Sequence, residues 1–189
     1  MRTFVLFARK ARTDGSFNIE DMPSSGGRMD LVARCVSSAL WLSHGMRDDS
    51  RIYCVLNGPP NPPVTVLFEA AKLRKVNPDE RSLGIWIQKV LSEEITGEWN
   101  EIKPGMSVSR KSFQDVIREL AELPIYVLHE KGERVEKFEE DAVFVLGDHV
   151  GLPENDESFA LRYGKKISLG STSYLASSCI SVIHWLSDR

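Results

Sequence analysis

The sequence predicts an α/β protein with a mostly parallel sheet flanked by helices, and three observations support this fold class. Short apolar segments rich in β-branched and aromatic residues alternate with longer segments whose apolar residues recur at helical spacing. The 189 residues, 42% hydrophobic and 27% charged, suit one globular domain over residues 1–189. In the last third, two apolar strands run directly into glycine-bearing loops, as they do at the carboxyl ends of parallel strands.

The expected elements follow from this periodicity and from turn signals. The expected strands span residues 3–7, 51–56, 64–69, 125–128, 142–146 and 165–169. The expected helices span residues 28–44, 82–91, 156–161 and 174–186, and Ser112 with Asp115 resembles a capping box that opens one more. Residues 9–27, 129–132 and the stretch around Trp99 and Pro104-Gly105 are expected to be loops, and residues 135–140 a short hairpin arm.

The first long helix carries an apolar stripe and a second, polar face. That second face holds Asp30, Arg34, Ser37 and Trp41. One interpretation is an Asp30–Arg34 ion pair on a solvated face, stabilising by about 0.3–0.5 kcal/mol. The other is a polar patch that faces a substrate, which the large aromatic side chain of Trp41 favours.

The closing helix has apolar residues over a broad arc, from Leu175 through Cys179 to Leu186. A surface helix needs a narrower stripe. The pattern therefore predicts a buried helix, partly covered by another subunit.

Composition excludes several classes of protein. No apolar run of about 18 residues could cross a membrane, and the apolar start is too short for a secretory signal, so a cytoplasmic location is expected. Three scattered cysteines without a CxxC pair disfavour disulfides and zinc ribbons, and the four histidines lack metal-ligand spacing, so no metal is expected.

The net charge is −3, yet basic residues concentrate before residue 82 and acidic residues after it. A basic face and ordinary surface charge remain alternatives.

Several segments together resemble one family. These are Thr3-Phe-Val-Leu-Phe-Ala-Arg9, Gly26-Gly-Arg-Met-Asp-Leu-Val-Ala-Arg34, Leu56-Asn-Gly-Pro-Pro60, Leu128-His-Glu-Lys-Gly132, Leu146-Gly-Asp-His-Val-Gly-Leu152 and Ile167-Ser-Leu-Gly170. In this order they resemble the SPOUT class of methyltransferases, and within it the archaeal tRNA pseudouridine-54 N1-methyltransferases. The resemblance extends over essentially the whole chain.

The resemblance implies a SPOUT-type fold with a C-terminal deep trefoil knot, formed by a donor-binding segment of about residues 125–189. It implies a homodimer that binds S-adenosylmethionine (SAM) and methylates N1 of pseudouridine 54 in the T-loop of tRNA. The cofactor residues it implies are Leu128, Leu146, Gly147, Gly151, Ile167, Leu169, Gly170, Tyr174, Leu175 and Cys179. Asp148 and His149 in the same loop are weaker candidates, with turn formation as the alternative.

For the substrate side, the polar start of the first helix offers Arg28, Asp30 and Arg34 as catalytic candidates, with Asn57 and Arg9 as further RNA contacts. Arginines can hold phosphates or the extruded base, and Asp30 can orient the uracil edge or accept the N1 proton. The surface ion pair remains the alternative. The residues do not distinguish tRNA from ribosomal RNA, nor N1 from ribose 2′-O methylation, and a non-catalytic RNA-binding dimer is the rival from another class.

Overall fold

The computed structural model describes residues 1–189 and contains an eight-stranded sheet at its centre. Its strands are β1 (Arg2–Ala8), β4 (Ser50–Leu56), β5 (Val64–Glu69), β6 (Asn100–Lys103), β7 (Met106–Ser109), β8 (Ile125–Arg134), β9 (Ala142–Gly147) and β10 (Gly164–Ser168). The spatial order is β10-β8-β9-β1-β4-β5-β7-β6. The first five strands in this order are parallel, and the last three add antiparallel pairs at one edge.

Helices cover both faces of this sheet. Two short strands, β2 (Trp41–Leu42) and β3 (Gly45–Met46), form a separate hairpin, and the helices are α1 (Met29–Leu40), α2 (Glu80–Leu91), α3 (Phe113–Glu119), α4 (Glu154–Ala160) and α5 (Ala176–Ser187). On one face α1 packs between α2 and α5 over the larger apolar core, and on the other α3 packs with α4 over the smaller core. Since both faces are covered, the central strands are apolar along their length, as in β1.

Local signals account for several elements. Met29, Val32, Val36 and Leu40, the apolar stripe of α1, are all at most 1% exposed. Ser112 caps α3 by accepting a hydrogen bond from the Asp115 backbone N–H, while the Asp115 carboxylate accepts one from the Ser112 backbone N–H. The expected capping box is therefore confirmed.

The first helix ends four residues earlier than predicted. The apolar stripe stops at Leu40, Trp41 is already extended, and the Trp41–Leu42 strand folds back on Gly45–Met46. The turn residues between these strands are weak helix formers, and the Arg47 N–H donates to the Leu40 carbonyl 2.8 Å away. The predicted helix over residues 41–44 is therefore wrong.

Trp99 and Pro104-Gly105 lie outside regular structure, as predicted, but the residues on either side of Pro104-Gly105 form β6 and β7, whose Met106 and Val108 are buried at the sheet edge. Two other predictions differ. Residues 129–132 are extended within β8, but they bulge out of its pairing with β10, which pairs Lys166 with Val127 and Ile167 with Glu133. Residues 135–140 form no strand.

The closing helix α5 is buried on one side only. Ile180 and Ile183 have no exposed surface, whereas Trp185 is 60% exposed and Leu175, just before the helix, is 61% exposed. Burial of the whole arc is therefore wrong for the single chain, and cover by a second subunit stays a prediction.

A buried histidine joins α5 to β1 and α1. His184 is 3% exposed; its Nδ1 lies 3.2 Å from Nη1 of Arg2, and its Nε2 lies 3.0 Å from the carbonyl oxygen of Ala39. Arginine can only donate, so Nδ1 accepts and Nε2–H donates to Ala39 in a neutral ring. Burial, with the positive charge of Arg47, lowers the pKa of His184 to about 4.

We expect His184→Gln to flatten the pH dependence of the unfolding free energy. The folded pKa of His184 is about 4 and the unfolded value about 6.5, so below pH 6.5 the unfolded chain takes up the proton first and stability falls. The wild type should lose about 2 kcal/mol through this site between about pH 7 and pH 5. A glutamine amide keeps a donor for Ala39 and an acceptor for Arg2.

Urea unfolding at several pH values measures this difference. The exposed His44 provides the control, because His44→Gln should keep the wild-type slope. Equal slopes for His184→Gln and wild type would contradict the assignment.

Candidate functional site

A cleft of about 560 Å³ lies at the carboxyl ends of β9 and β10 and beside residues 128–130 of β8. Its other walls come from the loops that follow β9 and β10 and from the start of α5. All ten residues that the resemblance implies for the cofactor line it: Leu128, Leu146, Gly147, Gly151, Ile167, Leu169, Gly170, Tyr174, Leu175 and Cys179. The fold therefore brings together three separate segments of the chain.

The parallel pairing explains this convergence. Val127 of β8 lies beside Val145 of β9 and Lys166 of β10, so the three strands reach the same edge at the same level. Their apolar ends supply the walls of the cleft, and the backbone of the following loops supplies hydrogen-bonding groups.

Two glycines give the loops their shape. Gly151 has φ +84° and Gly170 has φ +143°, a backbone conformation that other residues rarely adopt. A Cβ at either position would meet no atom within 4 Å. The backbone at both glycines therefore borders open space, where a ligand can approach it closely.

Asp148 holds the loop between β9 and α4. Its carboxylate accepts hydrogen bonds from the backbone N–H groups of Val150, at 2.9 Å, and of Arg9, at 2.7 Å. The turn-forming interpretation of Asp148 is confirmed. His149 and Asp148 both line the cleft as well.

Other lining residues carry no sequence signal of their own. They are Leu31, His129, Glu130, Val150, Leu152, Glu157, Ser168, Thr172, Ser173 and Ala176. Most are neighbours of the predicted residues in the same loops. Leu31 and Glu157 come from α1 and α4, and only the tertiary fold brings them to the cleft.

Arg9 joins the end of β1 to the cleft. Its Nη2 donates to the carbonyl oxygen of Gly151 at 3.2 Å, and its backbone N–H donates to Asp148. The Nε atom is buried and has no hydrogen-bond partner. Arg9 therefore lies behind the cleft loop rather than among the lining residues.

The polar start of α1 forms a compact charged cluster. The Asp30 carboxylate receives Nε and Nη2 of Arg28, at 3.0 and 3.1 Å, and Nη2 of Arg34 at 2.9 Å. Arg34 also faces Glu80 at the start of α2, at 3.4 Å. The predicted Asp30–Arg34 ion pair is therefore present, but Asp30 is only 5% exposed while the Arg34 side chain is 33% exposed, so the pair is only partly solvated.

The charges in this cluster are strongly coupled. Burial alone would raise the pKa of Asp30, but the hydrogen bonds from Arg28 and Arg34 lower it below its ordinary value. The hydrogen bonds that Arg28 donates to Asp30 raise the pKa of Arg28, and the negative charge of Asp148 adds to this. Asp30 is therefore ionised at neutral pH and fixes both guanidinium groups next to the cleft loop.

Asn57 lies at the end of β4, beside the other loops. Its backbone N–H donates to Ala8 at 3.0 Å, and its Nδ2 donates to Val55 at 3.1 Å. Nearby, the N–H of Gly58 donates to the carbonyl of Ala11. The cleft itself is not lined by any of the expected substrate and catalytic residues, which are Arg9, Arg28, Asp30, Arg34 and Asn57. Leu31, which lies between Arg28 and Arg34 in the sequence, does line it.

The structure contains neither a metal-ligand cluster nor a helix that could span a membrane. No three His, Cys, Asp or Glu side chains come together in a way that could hold a metal ion. None of the helices has the length and apolar character required to span a bilayer.

Comparison with known proteins gives consistent matches over the full length. The family model described as "Putative SAM-dependent RNA methyltransferase" matches residues 1–189. Relatives named tRNA (pseudouridine(54)-N(1))-methyltransferase include one from Methanococcus maripaludis, 43% identical over 196 residues and covering 100% of this chain and 99% of the relative. The relative from Methanocaldococcus jannaschii is 43% identical, with 100% and 97% covered, and that from Thermococcus kodakarensis is 42% identical, with 98% of each covered.

A solved structure shares the fold. The crystal structure of Archaeoglobus fulgidus Nep1 bound to S-adenosylhomocysteine matches with a TM-score of 0.68 at 15% identity, covering 100% of this chain and 97% of that one. This likeness confirms the expected SPOUT-type α/β fold with its mostly parallel sheet.

We expect Asp30→Asn to lower the unfolding free energy by about 2 kcal/mol, because it leaves two guanidinium groups without their shared anion. The figure allows for the partial exposure of Arg28 and Arg34. Glu80→Gln, which removes the more exposed partner of Arg34, should cost less than about 1 kcal/mol. Urea unfolding near pH 7 compares the two variants, and equal losses would contradict the dominant role of Asp30.

Proposed function

The chain belongs to the family of SAM-dependent RNA methyltransferases, and from this membership we propose that it methylates N1 of pseudouridine 54 in the T-loop of tRNA. The observation that carries the proposal is the similarity of the whole chain to relatives of that name, at about 42–43% identity. The geometry of the cleft and of the neighbouring charged cluster is compatible with this reaction.

The cleft suits SAM in size and chemistry. Leu128, Ile167 and Leu169 provide apolar walls for an adenine ring, and the backbone beside Gly151 and Gly170 is open to hydrogen bonding. Its volume of about 560 Å³ falls within the range of small-molecule sites. When bound, SAM supplies an activated methyl group on its sulfonium, so the protein needs mainly to align the acceptor with it.

Recognition of pseudouridine depends on one atom. Uridine carries its ribose on N1, whereas pseudouridine is joined through carbon and presents a free N1–H. The enzyme must hold this nitrogen against the methyl group and let the proton leave. The base lies in a folded loop of the tRNA and must be extruded to reach a cleft at the strand ends.

We assign the substrate side to the start of α1. Arg28 and Arg34 offer fixed guanidinium groups for the phosphates or the uracil edge, and Arg9 and Asn57 lie at the neighbouring strand ends. Because its pKa is lowered, Asp30 is a weak base, and its proposed role is to position the two arginines while water takes the N1 proton.

The proposal includes the architecture implied by the family. Residues 1–189 act as one domain, residues of about 125–189 hold the donor, and the knotted threading of this segment stays a prediction. A cytoplasmic location would give the enzyme access to tRNA.

A homodimer completes the proposal. Tyr174 and Leu175, just before α5, line the cleft yet are 53% and 61% exposed, and Trp185 near the end of α5 is 60% exposed. Exposed large apolar residues next to a ligand cleft are typical of a protein interface. A second copy packed on α5 would cover them and lie close to the donor site.

We expect the protein to transfer labelled methyl groups from SAM to T-loop RNA that carries pseudouridine at position 54, and not to the same RNA with uridine. Nucleoside analysis should locate the label on N1. Equal labelling of both RNAs would contradict N1 transfer, and label on a ribose oxygen would indicate the 2′-O alternative. Absence of SAM binding by calorimetry would indicate a non-catalytic RNA-binding protein.

We expect the protein to sediment as a dimer at micromolar concentration, and Trp185→Glu to sediment as a monomer, since a buried carboxylate at the interface is costly. Tyr163→Glu is the matched control, because Tyr163 is 39% exposed but lies away from α5, after α4. A monomeric wild type would refute the dimer.

A further inference from the structure

We propose that lysines gathered around Trp86 form a second RNA-binding surface, which holds phosphates of the substrate outside the methylated loop. This surface, here called the Trp86 patch, consists of Trp86 and Lys89 on α2, Lys103 on β6, and Lys75 in the loop before α2. The inference rests on the proposed function, since it assumes an RNA substrate.

Positive charge is concentrated at the Trp86 patch. Nζ of Lys103 lies 3.5 Å from the centre of the Trp86 ring, and Nζ of Lys89 lies 4.5 Å from it. Desolvation lowers the pKa of Lys103, and the positive charges of Lys89 and Lys75 lower it further. The ammonium group of Lys103 is therefore repelled by those of Lys89 and Lys75.

The positive charge of the Trp86 patch is not neutralised by neighbouring carboxylates. None of Lys75, Lys89 and Lys103 has a carboxylate within 4 Å, whereas Lys72 pairs with Glu69 and Lys111 with Glu119. The protein as a whole carries a charge of −3, so acidic side chains are not scarce. A cation–π contact offsets only part of the repulsion. A polyanion laid across the patch would offset the rest and release counterions.

The helix that carries Trp86 and Lys89 also contacts the charged cluster at the start of α1. α2 begins at Glu80, whose carboxylate faces Arg34 of the charged cluster. Lys89 follows nine residues later, about 13 Å farther along the helix axis at 1.5 Å per residue. Nine residues are about two and a half helical turns, so Lys89 lies on the opposite side of α2 from the contact between Glu80 and Arg34. An RNA whose target base enters near Arg34 therefore passes around α2 for its flanking phosphates to reach the patch.

Lysine acylation of the unaltered protein tests the patch directly. We expect tRNA to slow the acetylation of Lys89 and Lys103 at least about fivefold, with the exposed Lys137 unaffected. Mass spectrometry reads each lysine separately. Equal rates with and without tRNA at Lys89 and Lys103 would overturn the proposal, and equal protection by inorganic phosphate alone would replace the RNA surface with a small-anion site.

A charge-matched pair of variants gives the energetic test. Lys89→Gln/Lys103→Gln should lower the slope of log Kd for tRNA against log salt by about two, because two phosphate contacts are lost. SAM affinity and the methylation rate at saturating tRNA should stay unchanged. Arg134→Gln/Lys137→Gln removes the same charge from exposed positions elsewhere and should keep the wild-type slope. Equal slopes for both double variants would overturn the proposal.

The same samples separate this inference from the proposed function. If the wild type methylates pseudouridine while tRNA leaves the patch unprotected, the patch fails and the activity stands. If tRNA protects the patch but no methyl group reaches N1, the RNA surface stands and the proposed reaction fails.

Discussion

The pairing of β1 with two parallel neighbours is the constraint on which the site depends. Phe7 lies beside Gly147 of β9, and Ala8 lies beside Leu56 of β4, so all three strands end at the same level. The chain segments that leave them are distant in sequence but emerge side by side. Hydrogen bonds then join them, from the Arg9 N–H to Asp148 and from the Asn57 N–H to Ala8. One register thus fixes the donor cleft and the polar residues relative to each other.

The sequence predicts the parts of this arrangement that depend on local chemistry. An apolar run into a glycine loop needs only its own residues to be recognised, so the segments around Gly147 and Gly170 could be identified as sites. Residues 129–132 are predicted as a loop, but their bulge within β8 could not be foreseen, because it arises from a register shift in the pairing of β8 with β10. The burial of Asp30 was missed for the same reason. Helical spacing puts it on a polar face, and the spacing does not show that Asp30, held by the guanidinium groups of Arg28 and Arg34, is buried while Arg34 stays partly exposed.

The edge hairpin illustrates a further limit of sequence reasoning. β6 and β7 are four residues each and are stabilised by pairing with β5, so their local pattern is too short to distinguish them from a loop. Lys103 lies on this hairpin and Lys89 on α2, and their meeting at Trp86 depends on that distant pairing. The charge pattern of the sequence indicates a basic segment before residue 82, whereas Lys89 and Lys103 lie after it, so only the tertiary fold identifies them as cations without a carboxylate partner.

The balance of charge differs between the two regions in a way that fits their chemistry. Next to the cleft, Arg28 and Arg34 are offset by Asp30 and Glu80, so the cluster carries no net charge. A cationic sulfonium donor would be repelled by uncompensated arginines at short range, since attraction and repulsion are strong where water is excluded. The Trp86 patch, in contrast, keeps its charge uncompensated. Positive charge is thus neutralised next to the proposed donor site, where Arg28 and Arg34 would contact the RNA through a cluster without net charge, and is left uncompensated at the Trp86 patch.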